Sequence, residues 1–166
     1  MYVDSASTGA NNGSSWSDAF TNLQDALNVI RIGCADTVKV AQGTYYPDYT
    51  DTLFDECSGS ILEIFNPDRG VSFVLDSGLI LLGGYSKGGS ESRDWICNKT
   101  ILCGEIQEDG DETNNSYSII RTENIGHQSV TFDGFCISGA YSFISSSPGS
   151  SSGGGWSNRA FNGKTS

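Results

Sequence analysis

The sequence has 166 residues, enough for one domain with its own core. It carries 20 Asp plus Glu against 9 Lys plus Arg, a formal net charge of -11. That balance excludes sequence-independent binding to nucleic acid or anionic lipid, and no apolar run approaches the ~20 residues of a membrane span.

Met1 is followed at once by the polar YVDSAS, with no secretory leader, so the sequence reads as a processed chain or an excerpt of a longer one. The first clear element is SWSDAFTNLQDALNVIRIG. Trp16, Ala19, Phe20, Leu23, Ala26, Leu27 and Ile30 recur at three- and four-residue steps, the pattern of an amphipathic helix. Thr21 with Gln24 fits a capping box, so the helix is expected to start near Asn22, and Gly33 is a C-terminal stop. One such helix with nothing helical after it needs a sheet or a barrel end to cover.

After Gly33 the pattern changes to period two or short apolar runs. These predict strands at Thr37 to Ala41, Ser72 to Leu75, Leu79 to Leu82, Thr100 to Cys103, Tyr117 to Thr122 and Ser129 to Ser138. No pair is joined by a tight Asn-Gly hairpin, which argues against an antiparallel meander. CADTVKV, DSGLILL, CNKTILC and HQSVTFD each set a polar turn three residues before the first apolar strand position, a loose repeat in the range of solenoids. In a solenoid, parallel strands stack about 4.8 Å apart. Val38 and Val40, Leu79 and Leu81, Ile101 and Cys103, and Val130 and Phe132 are the expected interior column. The alternative is a β-sandwich of alternating strands. From Tyr141 onward the chain is Ser/Gly-rich and ends in GGGWSNRAFNGKTS. Residues 1–140 are therefore expected to form the cap and first coils, and 141–166 a loop with the start of a further coil, or a tail.

The five cysteines, Cys34, Cys57, Cys97, Cys103 and Cys136, form no CxxC, and the single His127 cannot complete a zinc site without scattered thiolates. They read as secreted disulfides, with an odd thiol left free or bonded to another chain. Their pairing is open. With the Leu79 strand between them, however, Cys34 and Cys97 would lie about 9.6 Å apart, beyond the ~7 Å reach of a disulfide. Cys57 is the freest to reach another Cys. Three Asn-x-Ser/Thr sequons, at Asn12, Asn98 and Asn114, fall at expected turns and agree with an extracellular, glycosylated chain.

The segments YVDSASTGANNGSSWSDAFTNLQDAL, DTVKVAQGTYYP, SFVLDSGLILLGGYS, SRDWICNKTILCGEI, NNSYSIIRT and FDGFCISGA, in this order, resemble the N-terminal region of secreted right-handed parallel β-helix surface proteins. These are pectate-lyase-like, many with polymorphic-outer-membrane-protein-type repeats. The likeness runs from Tyr2 to about Ala140, with an insertion around Tyr49 to Asp68. It implies an all-β, right-handed parallel β-helix capped by the Thr21–Ile32 helix. It also implies that Ala41 to Tyr45 and Gly83-Gly84-Tyr85 turn out of strands. Cys at 34, 97, 103 and 136 departs from the small or polar residues usual there. The fold itself hosts lyases, hydrolases, adhesins and stalks.

Candidate chemistry is sparse. Asp109-Gly110-Asp111, within an acidic run that includes Glu105, Glu108 and Glu112, could set carboxylates around Ca²⁺, but lacks the ligand ladder of an EF-hand; a solvated acidic loop is the alternative. Asp133-Gly134 marks a turn or a strand-face carboxylate. Arg93-Asp94 reads as a local ion pair anchoring Trp95. Trp16 and Trp95 fit core or cap packing, and Trp156 is expected to be exposed. A lyase of the resembled class would need a cation beside Ca²⁺-binding carboxylates, and Lys39 and Arg121 are the strand-borne cations available. No other cofactor and no catalytic residue is expected. The sequence thus points to an extracellular structural or adhesive glycoprotein that self-assembles head to tail into a fibre or forms part of a stalk. The alternatives are a pectate-lyase-like enzyme and a carbohydrate-binding adhesin that does not assemble, with Trp156 and Tyr141 on the glycan.

Overall fold

The amphipathic segment folds as helix α1 (Leu23–Arg31) in the computed structural model, which describes residues 1–31, 37–47, 52–54, 61–63, 69–106, 109–123, 129–141 and 154–159. Leu23, Ala26, Leu27 and Ile30 face inward and are buried. The helix begins at Leu23, one residue past the expected start near Asn22. The Asn22 side chain caps it by accepting the Gln24 N–H at 2.8 Å. Thr21 takes no part in a capping box: its N–H and hydroxyl both donate to Asn11 Oδ1, at 2.8 and 3.3 Å. Asn22→Ala is therefore expected to cost about 1 kcal/mol, read as a lower thermal midpoint, while Thr21→Ala leaves the cap in place.

The strands in chain order are β1 (Tyr2–Val3), β2 (Thr37–Ala41), β3 (Gly43–Tyr45), β4 (Thr52–Phe54), β5 (Ile61–Glu63), β6 (Phe73–Leu75), β7 (Ile80–Tyr85), β8 (Thr100–Cys103), β9 (Ile120–Glu123), β10 (Thr131–Asp133), β11 (Phe135–Ser138) and β12 (Trp156–Arg159). A first sheet has the order β1-β2-β7-β10, a second β3-β8-β11 and a third β6-β9-β12. Every ladder in these three sheets is parallel. Strands β4 and β5 form a separate antiparallel pair.

This corrects the expected all-β solenoid. The chain has three small parallel sheets and a helix, a mixed α/β-like arrangement, and not a clear β-helix. Two features account for the difference. The helix is part of the core: it shares one apolar cluster with Val3, Val38, Val40, Phe73, Leu75, Leu81 and Leu102. The chain interval between stacked strands is also irregular. It runs Thr37 to Ile80 to Thr131 in the first sheet but Gly43 to Thr100 to Phe135 in the second, so no fixed repeat is wound. Of the segments expected to turn out of strands, Ala41 to Tyr45 bends at Gln42, between β2 and β3, whereas Gly83 to Tyr85 continues β7 as strand.

The expected interior column holds in part. Val38, Val40, Leu79 and Leu81 are buried, and Val130 and Phe132 pack partly buried against the same cluster. On β8 the register is one residue off: Thr100 and Leu102 are buried, whereas Ile101 and Cys103 face partly outward. A Thr can occupy the interior because its hydroxyl accepts the Gly84 N–H at 2.9 Å and donates to the Ala41 carbonyl at 3.3 Å.

Tyr45 is buried with its hydroxyl donating to the Ala41 carbonyl at 3.1 Å. Burial, only partly offset by Ser5, pushes its pKa up from 10.0 to about 12. The folded state thus holds this proton more tightly than the unfolded chain. Its contribution is complete below pH 10 and is lost as pH rises through about 12. Stability is expected to fall by about 2 kcal/mol between those limits, and Tyr45→Phe should flatten that slope in alkaline urea titrations.

Candidate functional site

The three sheets end on one side in β10, β11 and β12, and among the described residues nothing pairs with their outer edges. Each last strand repeats the inward pattern of the strand beneath it. Phe132 lies over Leu81, which lies over Val38. Ile137 lies over Leu102 and Tyr45. Trp156 lies over Ile120 and Phe73. The lower residues of each stack are buried, but Ile137 is 37% and Trp156 42% exposed. Phe132 stacks on Phe135 at 4.6 Å between centroids and lies edge-on to Trp156 at 5.3 Å. The result is an uncovered apolar face bordered by unpaired strand backbone, a template for further strands.

A turn and a clamp position this face. Gly134 breaks the expected single strand Ser129 to Ser138 into β10 and β11, with φ of 82°. Asp133-Gly134 is thus a turn, and the Asp133 carboxylate holds it. Arg93 donates from Nε to the Gly83 carbonyl at 2.8 Å, and from Nη2 to the Asp133 carbonyl at 3.1 Å and carboxylate at 2.7 Å. The expected Arg93–Asp94 pair is replaced by this long-range one. Asp94 instead accepts the Ile96 and Cys97 N–H groups at 3.1 and 3.0 Å. Those bonds, the Cys97 one foremost, hold its carboxyl below the usual range, and the Cys97 thiol is raised by its own side-chain hydrogen bond to this carboxylate and by the carboxylate's charge. Trp95, expected to be packed, is 57% exposed beside the guanidinium of Arg93, and neighbouring Ile96 is 76% exposed. Trp16 does pack, 4.9 Å from Tyr2 and 5.2 Å from Tyr85. A second clamp, Arg69, donates to the Asn115 and Tyr141 carbonyls at 2.8 and 2.7 Å, with its guanidinium over the Tyr117 ring.

The acidic loop is committed to its own backbone. Asp109 accepts the Asp111 N–H and the Asn114 amide, both at 2.9 Å, and Asp111 accepts the Thr113 N–H at 2.9 Å and hydroxyl at 2.6 Å. The Thr113 bonds lower the Asp111 pKa. Among the described residues no group of three or more metal-ligating side chains gathers, here or elsewhere. Lys39 sits in the first sheet over the rings of Tyr2 and Tyr85, and Arg121 in the third sheet, so the two strand-borne cations do not converge.

Cys97, Cys103 and Cys136 are unbonded. Cys34, Cys57, Glu108 and His127 lie outside the described residues, as does Gly33, so the expected helix stop and the Cys34–Cys97 geometry fall there too. The sequons differ. Asn12 is exposed, whereas Asn98 and Asn114 are half-buried and donate their amides to Gly84 O and Asp109. Sequence reasoning missed β1, β3, β4, β5 and β12, and with them the shared ending of the three sheets. The turn pair Asp133-Gly134 was the legible signal that the last run holds two strands. No protein-family model, curated protein or solved structure matches the chain.

Proposed function

We propose that the protein is an extracellular structural or adhesive module that acts by end-on association of its sheets and not by catalysis. The observation that carries this reading is the face of exposed Ile137 and Trp156 and half-buried Phe132 and Phe135, bordered by the edges of β10, β11 and β12, which pair with nothing among the described residues. A second copy of the chain is its occupant. The five cysteines and the exposed sequon at Asn12 support a secreted, glycosylated setting.

Ile137→Lys places a charge on an already exposed position, so the fold should tolerate it while association weakens roughly tenfold or more. Sedimentation velocity from micromolar to millimolar concentration reads both chains. A wild-type chain that stays monomeric throughout overturns the reading.

A further inference from the structure

We infer that Asn12 is the glycan acceptor of this chain, and that the fold withholds the sequons at Asn98 and Asn114 from the enzyme that would modify them. The inference rests on the secreted setting proposed above and names the site of modification.

The three sequons are alike in sequence and differ in the fold. A transferase needs two groups of a sequon at once. One is the Asn amide nitrogen, which takes the sugar, and the other is the hydroxyl two residues on, which it recognises.

Asn12 offers both. It lies on the loop between β1 and α1, where Thr8 to Asn12 and Ser14 are exposed. The Asn12 and Gly13 N–H groups both donate to the Asp18 carbonyl, at 3.0 and 2.8 Å, and fix the loop. Gly13 has φ of 70° and is buried; a Cβ there would lie 2.6 Å from the Phe20 ring. The middle residue of the sequon therefore faces the core while its two neighbours are exposed to solvent. Asn12 Oδ1 accepts the Ser14 N–H at 3.0 Å, but no described residue holds the Asn12 Nδ2 or the Ser14 hydroxyl.

Asn98 and Asn114 offer neither. Asn98 Nδ2 donates to the Gly84 carbonyl at 3.4 Å, and Asn114 Nδ2 to the Asp109 carboxylate at 2.9 Å. Their hydroxyl residues, Thr100 and Ser116, are fully buried. The Thr100 hydroxyl is held by the Gly84 N–H and the Ala41 carbonyl, and that of Ser116 by the Val71 and Ser118 carbonyls. A transferase would have to open β8, or the chain entering β9, to reach them. Core strands open far more rarely than surface loops.

The donor is an oligosaccharide on a polyprenyl diphosphate. Asn12 Nδ2 bonds to the anomeric carbon, the bond from that carbon to the diphosphate oxygen breaks, and the diphosphate leaves with the electron pair. One amide proton passes to a carboxylate of the transferase.

The test incubates the folded full-length chain with solubilised eukaryotic oligosaccharyltransferase and this donor, and reads occupancy at each Asn by mass spectrometry. Asn12 is expected to be modified about tenfold or more above Asn98 and Asn114, and Asn12→Gln or Ser14→Ala to remove that signal. Leu81→Ala, at a fully buried position of β7, is expected to raise occupancy at Asn98 and Asn114 and leave Asn12 unchanged. A bare Asn12, comparable occupancy at all three sites in the wild-type chain, or no rise in Leu81→Ala overturns the inference. End-on association is read separately by sedimentation and stands or falls without it.

Discussion

Leu81→Ala is expected to lower the free energy of unfolding by about 4 kcal/mol. Leu81 is fully buried in the middle strand of the first sheet, in register with Val38 on one side and Phe132 on the other. Truncation removes three carbons from water-free surroundings and leaves a hole that neither neighbour can fill, since both are held by ladder hydrogen bonds. The loss should appear as a lower urea midpoint with an unchanged slope. Leu81→Met conserves volume and should cost less than ~1.5 kcal/mol. A loss under ~1 kcal/mol for the alanine variant would show that the stack is not close-packed.

Gly134→Val should cost about 3 kcal/mol or more and should also disturb the end face. Two effects combine. A β-branched residue at φ of 82° is strained by roughly 1–2 kcal/mol. A Cβ there also lies 2.5 Å from Arg93 Nη2, 2.7 Å from the Gly83 carbonyl oxygen and 3.0 Å from its carbon. The guanidinium can swing away, at the loss of its bonds to Asp133, but the Gly83 backbone belongs to β7 and cannot. Gly110→Ala is the control. Its φ is 78°, yet nothing lies within 4 Å, so it should show the conformational cost alone, about 1 kcal/mol. Chemical denaturation of both variants separates strain from collision.

Much of the local structure was legible because it rests on short-range pattern. Strands β2 and β8 begin and end where alternation predicted, and Leu23, Ala26, Leu27 and Ile30 share the predicted helix face. What sequence did not reveal depends on partners distant in the chain. Thr100 faces inward because Gly84 and Ala41 satisfy its hydroxyl, and neither neighbours it in sequence. Arg93 passes over adjacent Asp94 for Asp133, 40 residues away. Strand β8 follows β7 in the chain yet stacks on β3, so the order of apolar runs misled both the sheet count and the fold class. The end face stayed hidden for the same reason: its four side chains come from three strands in three sheets, and each run alone looks like ordinary core.

In each of the three sheets, spatial order repeats synthesis order: β1, β2, β7, β10; then β3, β8, β11; then β6, β9, β12. Once β1, β3 or β6 has opened a sheet, a ribosome releasing this chain therefore presents each later strand of that sheet after its template has emerged. No early strand has to wait for a late one before it finds a bed. Domains form from the N-terminus as they are made, and here the nascent protein can consolidate layer by layer, offering the cell only its newest rim at any moment.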